Sequence, residues 1–201
     1  MKIAIGFVAV TAALMSTSAS AAIITFAGLP GSNGSAFTGP YVEAGYSVSA
    51  MAGQVFEGHQ FGNPSPSLVV GTVFGSISTG TVQVVKSGGG TFSFGGFDLI
   101  GQNGNAGYTV TGTLGASSVF SFSGSQGGTF TTLAGAAGTI DKLIFALNAS
   151  GSSLNLDNIN VSAAVAAVPE SATWAMMVLG FGLVGAGMRA RRTSVRFANL
   201  V

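Results

Sequence analysis

The sequence has no cysteine, a single histidine and few charged residues. Without cysteine, disulfides, thiolate metal sites and cysteine nucleophiles are all excluded. The one histidine, His59, leaves little room for imidazole chemistry. Charged residues make up 6% of the chain, but 15 phenylalanines argue against a charge-rich disordered protein. Only 5 prolines accompany 32 glycines, and no strict three-residue period is present, so collagen is excluded as well.

The few charges are distributed unevenly. Residues 23–168 carry two lysines and five acids, a formal charge of −3, whereas four arginines and no acid follow Glu170. A nucleic-acid-binding domain needs a basic patch on its folded part, and this composition provides none. We therefore predict no nucleic-acid partner.

The N-terminus has the three parts of a secretory signal peptide. Lys2 supplies the positive charge, residues 3–15 the apolar region, and Ala19-Ser20-Ala21 a small-residue cleavage site. The apolar run is shorter than the ~20 residues that a membrane-spanning helix needs. We predict a signal peptide over 1–22, export through the translocon, and cleavage by signal peptidase after Ala21 or Ala22.

Residues 23–166 show the short, alternating apolar segments that are typical of an all-β domain. Eight or nine such segments, separated by Gly, Ser and Asn, predict an antiparallel β-sandwich, jelly-roll-like, or a barrel. The segments are 23–26, 68–74, 81–85, 91–100, 108–114, 119–122, 129–133, 140–147 and 154–161. The stretch 29–67, which holds four of the five prolines, is predicted to form long loops over one end of the sandwich.

Two segments change their alternation part way along. In one the change falls at Gly95-Gly96, and in the other at Asp157-Asn158. Strict alternation would turn half of each apolar set towards solvent, so we predict a β-bulge or bend at each junction. The apolar residues concerned are Phe92, Phe94, Phe97 and Leu99 in the first segment and Leu154, Leu156, Ile159 and Val161 in the second.

The C-terminal part differs from the rest of the chain. A small-residue linker over 163–168 leads into an uncharged apolar run that ends before Arg189. The 17 residues 172–188 would make a helix of ~25 Å, at the short end of what can span a membrane. The arginines that follow would place that end in the cytoplasm. We predict a transmembrane helix over 172–188 in the inner membrane and a cytoplasmic tail over 193–201.

The segment 168–192 resembles the PEP-CTERM sorting signal. It reads Val-Pro-Glu-Ser-Ala-Thr-Trp-Ala-Met-Met, followed by the Gly-rich apolar helix and an arginine cluster. The family's second proline is replaced by Ser171. The resemblance assigns 167–192 to a sorting signal and implies processing by an exosortase. It also implies a Gram-negative host that makes extracellular polysaccharide. The residues that match the family motif are Pro169, Glu170, Trp174, Ala175, Arg189, Arg191 and Arg192. The same tail is also labelled an ice-binding protein C-terminal domain, which by itself does not indicate ice binding.

The segment Leu-Asp-Asn-Ile-Asn-Val over 156–161 resembles the last strand of many secreted jelly-roll modules, including carbohydrate-binding ones. In several such modules an acid near this position helps to hold a structural Ca²⁺, for which oxygen ligands are suited. The resemblance makes Asp157 a candidate calcium ligand. The alternative, that Asp157-Asn158 only forms the bulge, stays open. No other cofactor is predicted.

The leading functional prediction is an exported, non-enzymatic protein of the cell surface or extracellular matrix that associates with polysaccharide. Aromatic side chains stack on sugar rings, and Tyr41, Tyr46 and Tyr108 are the candidates. The alternative, that these tyrosines only pack at strand ends, stays open. No catalytic residue is predicted.

Two other functions are considered. A secreted polysaccharide-active hydrolase would need a triad around His59 or a carboxylate pair, and the sequence by itself pairs no acids. The acids available to it are Glu43, Glu57, Asp98, Asp141 and Asp157. An ice- or surface-adsorbing protein would need a flat Thr/Ser array, of which Thr109-Val-Thr111-Gly-Thr113 is one short instance.

Overall fold

The structure is a computed structural model that describes residues 21–71, 79–102, 104–149, 153–163 and 170–190. The chain divides into two compact units, 1–164 and 165–201. Every described strand lies in the first unit, and the described helix lies in the second.

Two antiparallel sheets make up the first unit. Sheet A has the strand order β10-β7-β12-β5-β4, with β1 also paired to β12, and sheet B has the order β2-β3-β6-β11-β8-β9. The strands are β1 (Ala21–Ile24), β2 (Tyr41–Glu43), β3 (Tyr46–Gly53), β4 (Val55–Gly58), β5 (Ser67–Val70), β6 (Thr79–Lys86), β7 (Phe92–Gly101), β8 (Ala106–Leu114), β9 (Ser117–Gln126), β10 (Thr131–Ala134), β11 (Lys142–Asn148) and β12 (Leu154–Ala163). The predicted antiparallel β-sandwich is confirmed, and each of the nine predicted segments overlaps a strand.

The prediction of long loops over 29–67 is wrong, because this stretch contains three strands, β2, β3 and β4. In β3, Tyr46 and Val48 are buried while Ser47 and Ser49 are half-exposed, which is the alternation of an ordinary strand. Pairing decides the outcome: β3 lies between β2 and β6, and β4 pairs with β5. Tertiary pairing thus overrides the turn-rich composition.

An aromatic cluster joins the two sheets. Phe94 and Phe97 of β7 project from sheet A against Phe145 of β11 in sheet B. The Phe97 and Phe145 ring centroids lie 5.2 Å apart at 66°, and Phe97 also meets Tyr108 edge-on at 5.6 Å. Such edge-to-face contacts add to the stabilisation from burial.

The two predicted bulges lie opposite each other. The pairing of β7 with β12 shifts register between Asp157 and Val161, where Asn160 faces Gly96. Asn158 has φ +46° and Gly96 has φ +153°. A Cβ on Gly96 would lie 2.6 Å from the Leu133 carbonyl oxygen, so only glycine fits there. The apolar residues on both sides of each junction are buried, as predicted.

The second unit contains a helix, α1, over Glu170–Ala190. The sequence predicts that residues 172–188 span a membrane. Among the described residues, however, no helix is long and apolar enough to cross one.

Several predicted segments lie partly or wholly outside the described residues. Strand β1 begins at Ala21, inside the predicted signal peptide, and the residues before it are not among those described. The linker residues 164–169 and the predicted cytoplasmic tail also lie outside.

Candidate functional site

Two acids that are distant in sequence meet in sheet A. Strands β7 and β12 are neighbours, and their register places Asp98 directly opposite Asp157, next to the bulge. Asp157 is fully buried and Asp98 is 5% exposed. From the sequence alone, no two acids were predicted to lie together, and the structure corrects this for Asp98 and Asp157. We call Asp98 and Asp157 the acid pair. The prediction that Asp157 lies in or beside a bulge is confirmed.

Three polar residues surround the acid pair. The Asn63 backbone N–H donates to Asp157 Oδ2 (2.6 Å), and its side-chain Nδ2 donates to Asp98 Oδ2 (3.1 Å). Asn158 donates from its backbone N–H to Asp157 Oδ1 (2.8 Å) and from Nδ2 to Asp98 Oδ2 (2.8 Å). The Thr132 hydroxyl donates to Asp98 Oδ1 (2.6 Å). The pair thereby ties the loop between β4 and β5 to the bulge. We call these five residues the acid-pair cluster.

Burial dominates the electrostatics of the cluster. It raises the pKa of Asp157 from 3.8 to about 6, and repulsion from Asp98 and Glu43 adds to this effect. The N–H bonds from Asn63 and Asn158 oppose it, because they stabilise the carboxylate. Asp157 therefore titrates just below neutral pH.

The cluster has the ligand chemistry of a calcium site. It offers two carboxylates, the Thr132 hydroxyl and the Asn63 carbonyl oxygen, to which Asn158 Nδ2 donates. Ca²⁺ prefers hard oxygen ligands of these kinds. Among the described residues the one ion pair is Glu57–His59, so no lysine or arginine neutralises the acid pair. Within the part of the chain that the structure describes, no three or more acid or histidine side chains come together in a way that could hold a metal ion. The donor set fits Ca²⁺ through the two acids together with neutral oxygens.

The other acids are engaged separately. Both oxygens of Glu43 accept hydrogen bonds from Thr25, from its backbone N–H at 2.9 Å and its hydroxyl at 2.7 Å. Asp141 Oδ2 accepts from the Gly115 N–H at 2.7 Å. His59 Nε2 lies 3.0 Å from Glu57 Oε2, and the described contacts bring no hydroxyl to it. His59 is therefore paired with an acid, but none of the described residues brings a nucleophile to it to complete a triad.

An open groove of about 380 Å³ lies beside β2. Tyr41 is part of its wall, and the ring is held on several sides. Its centroid lies 5.8 Å from that of Phe26, its hydroxyl donates to Glu43 Oε2 (3.1 Å), and it accepts from the Gly28 N–H (3.1 Å). We call this the Tyr41 groove; its lining is Gly28, Pro30, Ala36, Phe37, Thr38, Gly39, Pro40, Tyr41, Val42 and Glu57.

Glu57 supplies the carboxylate of the Tyr41 groove. Its Oε2 accepts from the Gly31 N–H (2.8 Å) and pairs with His59. Its Oε1 makes no hydrogen bond with the described residues. Glu57 is 5% exposed, so its carboxylate is largely covered, and the contacts to Gly31 and His59 hold Oε2 in place.

The other two predicted stacking residues differ in their surroundings. Tyr46 is 3% exposed and meets Phe92 edge-on at 5.3 Å, so the prediction that it stacks on a sugar is wrong. Tyr108 is half-buried against Phe97 and lines a second open groove of about 330 Å³ with Thr79 and Asn148.

The predicted threonine stripe lies on β8. Thr109, Thr111 and Thr113 pair with serines of β9, and the Thr111 and Ser121 hydroxyl oxygens are 3.1 Å apart. The hydroxyl array thus extends from one strand to two.

The predicted sorting residues fall in and around α1. Glu170, Trp174, Ala175 and Arg189 lie within the helix. Pro169, Arg191 and Arg192 are outside the described residues.

No family model and no curated protein matches the chain. Among solved structures, the enzymatically active domain of tailspike protein 4 of bacteriophage CBA120 is 17% identical, with 62% of this chain and 20% of that one covered and a TM-score of 0.36. A family 29 carbohydrate-binding module from Piromyces equi is 15% identical over 74% of this chain and 93% of the module, with a TM-score of 0.41. The module TmCBM61, solved with β-1,4-galactotriose, is 14% identical over 59% and 88%, with a TM-score of 0.37. This chain spans about a fifth of the tailspike structure. With scores this low, the likenesses carry no argument about function.

Proposed function

We propose that the protein is an exported, non-enzymatic protein of the cell surface or extracellular matrix that binds polysaccharide in the Tyr41 groove. The observation that carries this proposal is that a fixed aromatic ring, Tyr41, and a carboxylate, Glu57, both line one open groove. A sugar presents an apolar ring face to an aromatic side chain and hydroxyl donors to a carboxylate.

Both groups are preorganised. Phe26, Glu43 and Gly28 fix the Tyr41 ring, and Gly31 and His59 fix the Glu57 carboxylate. Binding a sugar then requires little ordering of protein side chains, so more of the contact energy appears as affinity.

The same groove argues for binding rather than hydrolysis. A glycosidase needs two carboxyl groups that flank the scissile bond. Glu57 is the one acid in the lining of the Tyr41 groove. The acid pair is buried, and neither of its members lines the two described grooves. Neither of the two described grooves would therefore place a substrate beside the pair.

A glycan array with the full chain tests the proposal. Once a bound glycan is identified, Tyr41→Ala and Glu57→Gln should each weaken its binding at least ~10-fold, a change of about 1.4 kcal/mol. Asp141→Asn is the matched control, because it also neutralises an acid but lies outside the groove. Circular dichroism should show that all three variants are folded. Unchanged affinity in both groove variants would refute groove binding.

We further propose that the signal peptide directs export and that an exosortase processes the chain at Pro169-Glu170. The support is the three-part C-terminal motif, with α1 beginning at Glu170. Changing Pro169-Glu170 to Ala-Ala should leave signal-peptide removal intact and make the unprocessed precursor accumulate, whereas Ser171→Ala should not. Normal processing of the double variant would contradict the sorting proposal.

We also propose that Ca²⁺ binds at the acid-pair cluster, with Asp98 and Asp157 as the charged ligands. The bound ion would replace mutual repulsion of the two carboxylates with attraction and would fasten Asn63 to the bulge.

A further inference from the structure

The four terminal strands of the two sheets differ greatly in length. Strands β2, β4 and β10 have three or four residues, whereas β9 has ten. Proteins protect sheet edges by keeping them short or by placing charges or proline on them. Strand β9 reads SSVFSFSGSQ, with no charge and no proline, and among the described strands it pairs with β8 alone. It is a long and unprotected edge.

The regular part of this edge is seven residues long. A bulge at Val119 interrupts the pairing with β8, because Ser118 pairs with Thr113 and Phe120 with Gly112. From Phe120 to Gln126 the register is unbroken.

The two faces of this regular part are uncharged. On the inner face Phe120 stacks on Phe94 at 6.1 Å, and Phe120 and Phe122 both remain half-buried. On the outer face Ser121, Ser123 and Ser125 are exposed.

We propose that β9 pairs antiparallel with β9 of a second copy of this chain, about a two-fold axis at Ser123. In this register each Phe122 lies opposite Gly124 of the other copy, next to the Tyr108 ring that already lies over that glycine in its own chain. Aromatic residues opposite glycines stabilise paired strands. On the outer face, Ser123 meets Ser123, and Ser121 meets Ser125.

The strand itself favours a second copy over an unrelated chain. The sequence from Phe120 to Gln126 is complementary to itself in this register: Phe122 has a glycine opposite it, each serine has a serine, and Phe120 lies opposite the uncharged Gln126. With no charge in β9, neither copy repels the other. The pairing would join two six-stranded sheets B into one continuous sheet.

Single cysteines test the register, because the chain has none of its own. Residues directly opposite in an antiparallel pair have Cα atoms ~4.5–5.5 Å apart, a separation that a disulfide can span. On oxidation of the full chain in non-ionic detergent, Ser123→Cys should form a disulfide dimer. Ser121→Cys alone and Ser125→Cys alone should not, because each would lie about 14 Å from its own copy. A mixture of these two variants should form the mixed disulfide.

Charge tests whether the edge drives association. In sedimentation velocity, Ser121→Lys/Ser123→Lys should need at least ~10-fold more protein to reach half-dimer, because four like charges then meet in the interface. Gln83→Lys is the control, since it adds a lysine on β6, an interior strand of the same sheet. A monomer at all concentrations, or association that the double lysine variant leaves intact, would overturn the proposal. So would equal disulfide yields from Ser121→Cys and Ser123→Cys.

Discussion

The buried carboxylate of Asp157 should make the stability of the first unit, residues 1–164, depend on pH. Because the folded-state pKa is about 6 and the unfolded value is 3.8, the folded protein holds a proton between these pH values that the unfolded chain has released. Stability from this group is therefore greatest below about pH 4 and falls as pH rises through 6. A shift of this size corresponds to about 3 kcal/mol, lost between pH 4 and pH 7.

Urea unfolding at a series of pH values, followed by circular dichroism in the presence of EDTA, measures this change. The difference in unfolding free energy between wild type and Asp157→Asn isolates the group, since the other acids are common to both. Asp98→Asn should keep most of the pH dependence, because burial is the largest cause of the raised pKa and Asp98 is a smaller one. A difference that does not vary with pH, or one that grows as pH rises, would refute the reasoning.

Ca²⁺ at 100 times its dissociation constant should raise the unfolding free energy of wild type by about 2.7 kcal/mol, and with it the melting temperature, but should not stabilise Asp157→Asn. EDTA should reverse the effect, and an unchanged melting temperature of wild type would reject calcium. Gly53→Ala should cost more than Gly88→Ala, although both have positive φ (+74° and +80°). A Cβ on Gly53 would lie 1.9 Å from the Thr79 carbonyl oxygen, while one on Gly88 meets nothing, so only the ~1–2 kcal/mol strain applies there. Equal losses would contradict this. Residues 21–163 alone should give a β-type circular dichroism spectrum, and a helical one would show that the unit does not fold independently.

Local pattern was sufficient for most of the fold. Apolar alternation survives in segments such as Tyr108–Leu114, because one face of each strand is buried and the other is not. It failed for β2 and β4, which are too short for a period to be recognised and lie among glycines and prolines. Strand β2 pairs with β3, which follows it directly, and β4 pairs with β5, and neither pairing shows in the apolar pattern of so short a segment.

The candidate site was only partly accessible from sequence. The two parity changes were visible, and aligning them across neighbouring strands would have brought Asp98 close to Asp157. The role of Asn63 had no such signal, because it lies 94 residues from Asp157 in a loop. Tyr46 was misassigned because the stretch 29–67 was predicted as loops, so its place on the buried face of β3 was not foreseen.

The position of β12 sets the time at which the protein can fold. It is the last of the described strands along the chain, yet β7 lies on one side of it and both β5 and β1 lie on the other. A chain that emerges N-terminus first, from a ribosome or a translocation pore, has made every other strand of sheet A before their shared neighbour arrives. Until about residue 163 is out, Ile24 has no strand to pair with and β5 and β7 have nothing to connect them. Sheet A therefore cannot be completed before β12 has emerged, whereas all the strands of sheet B precede it.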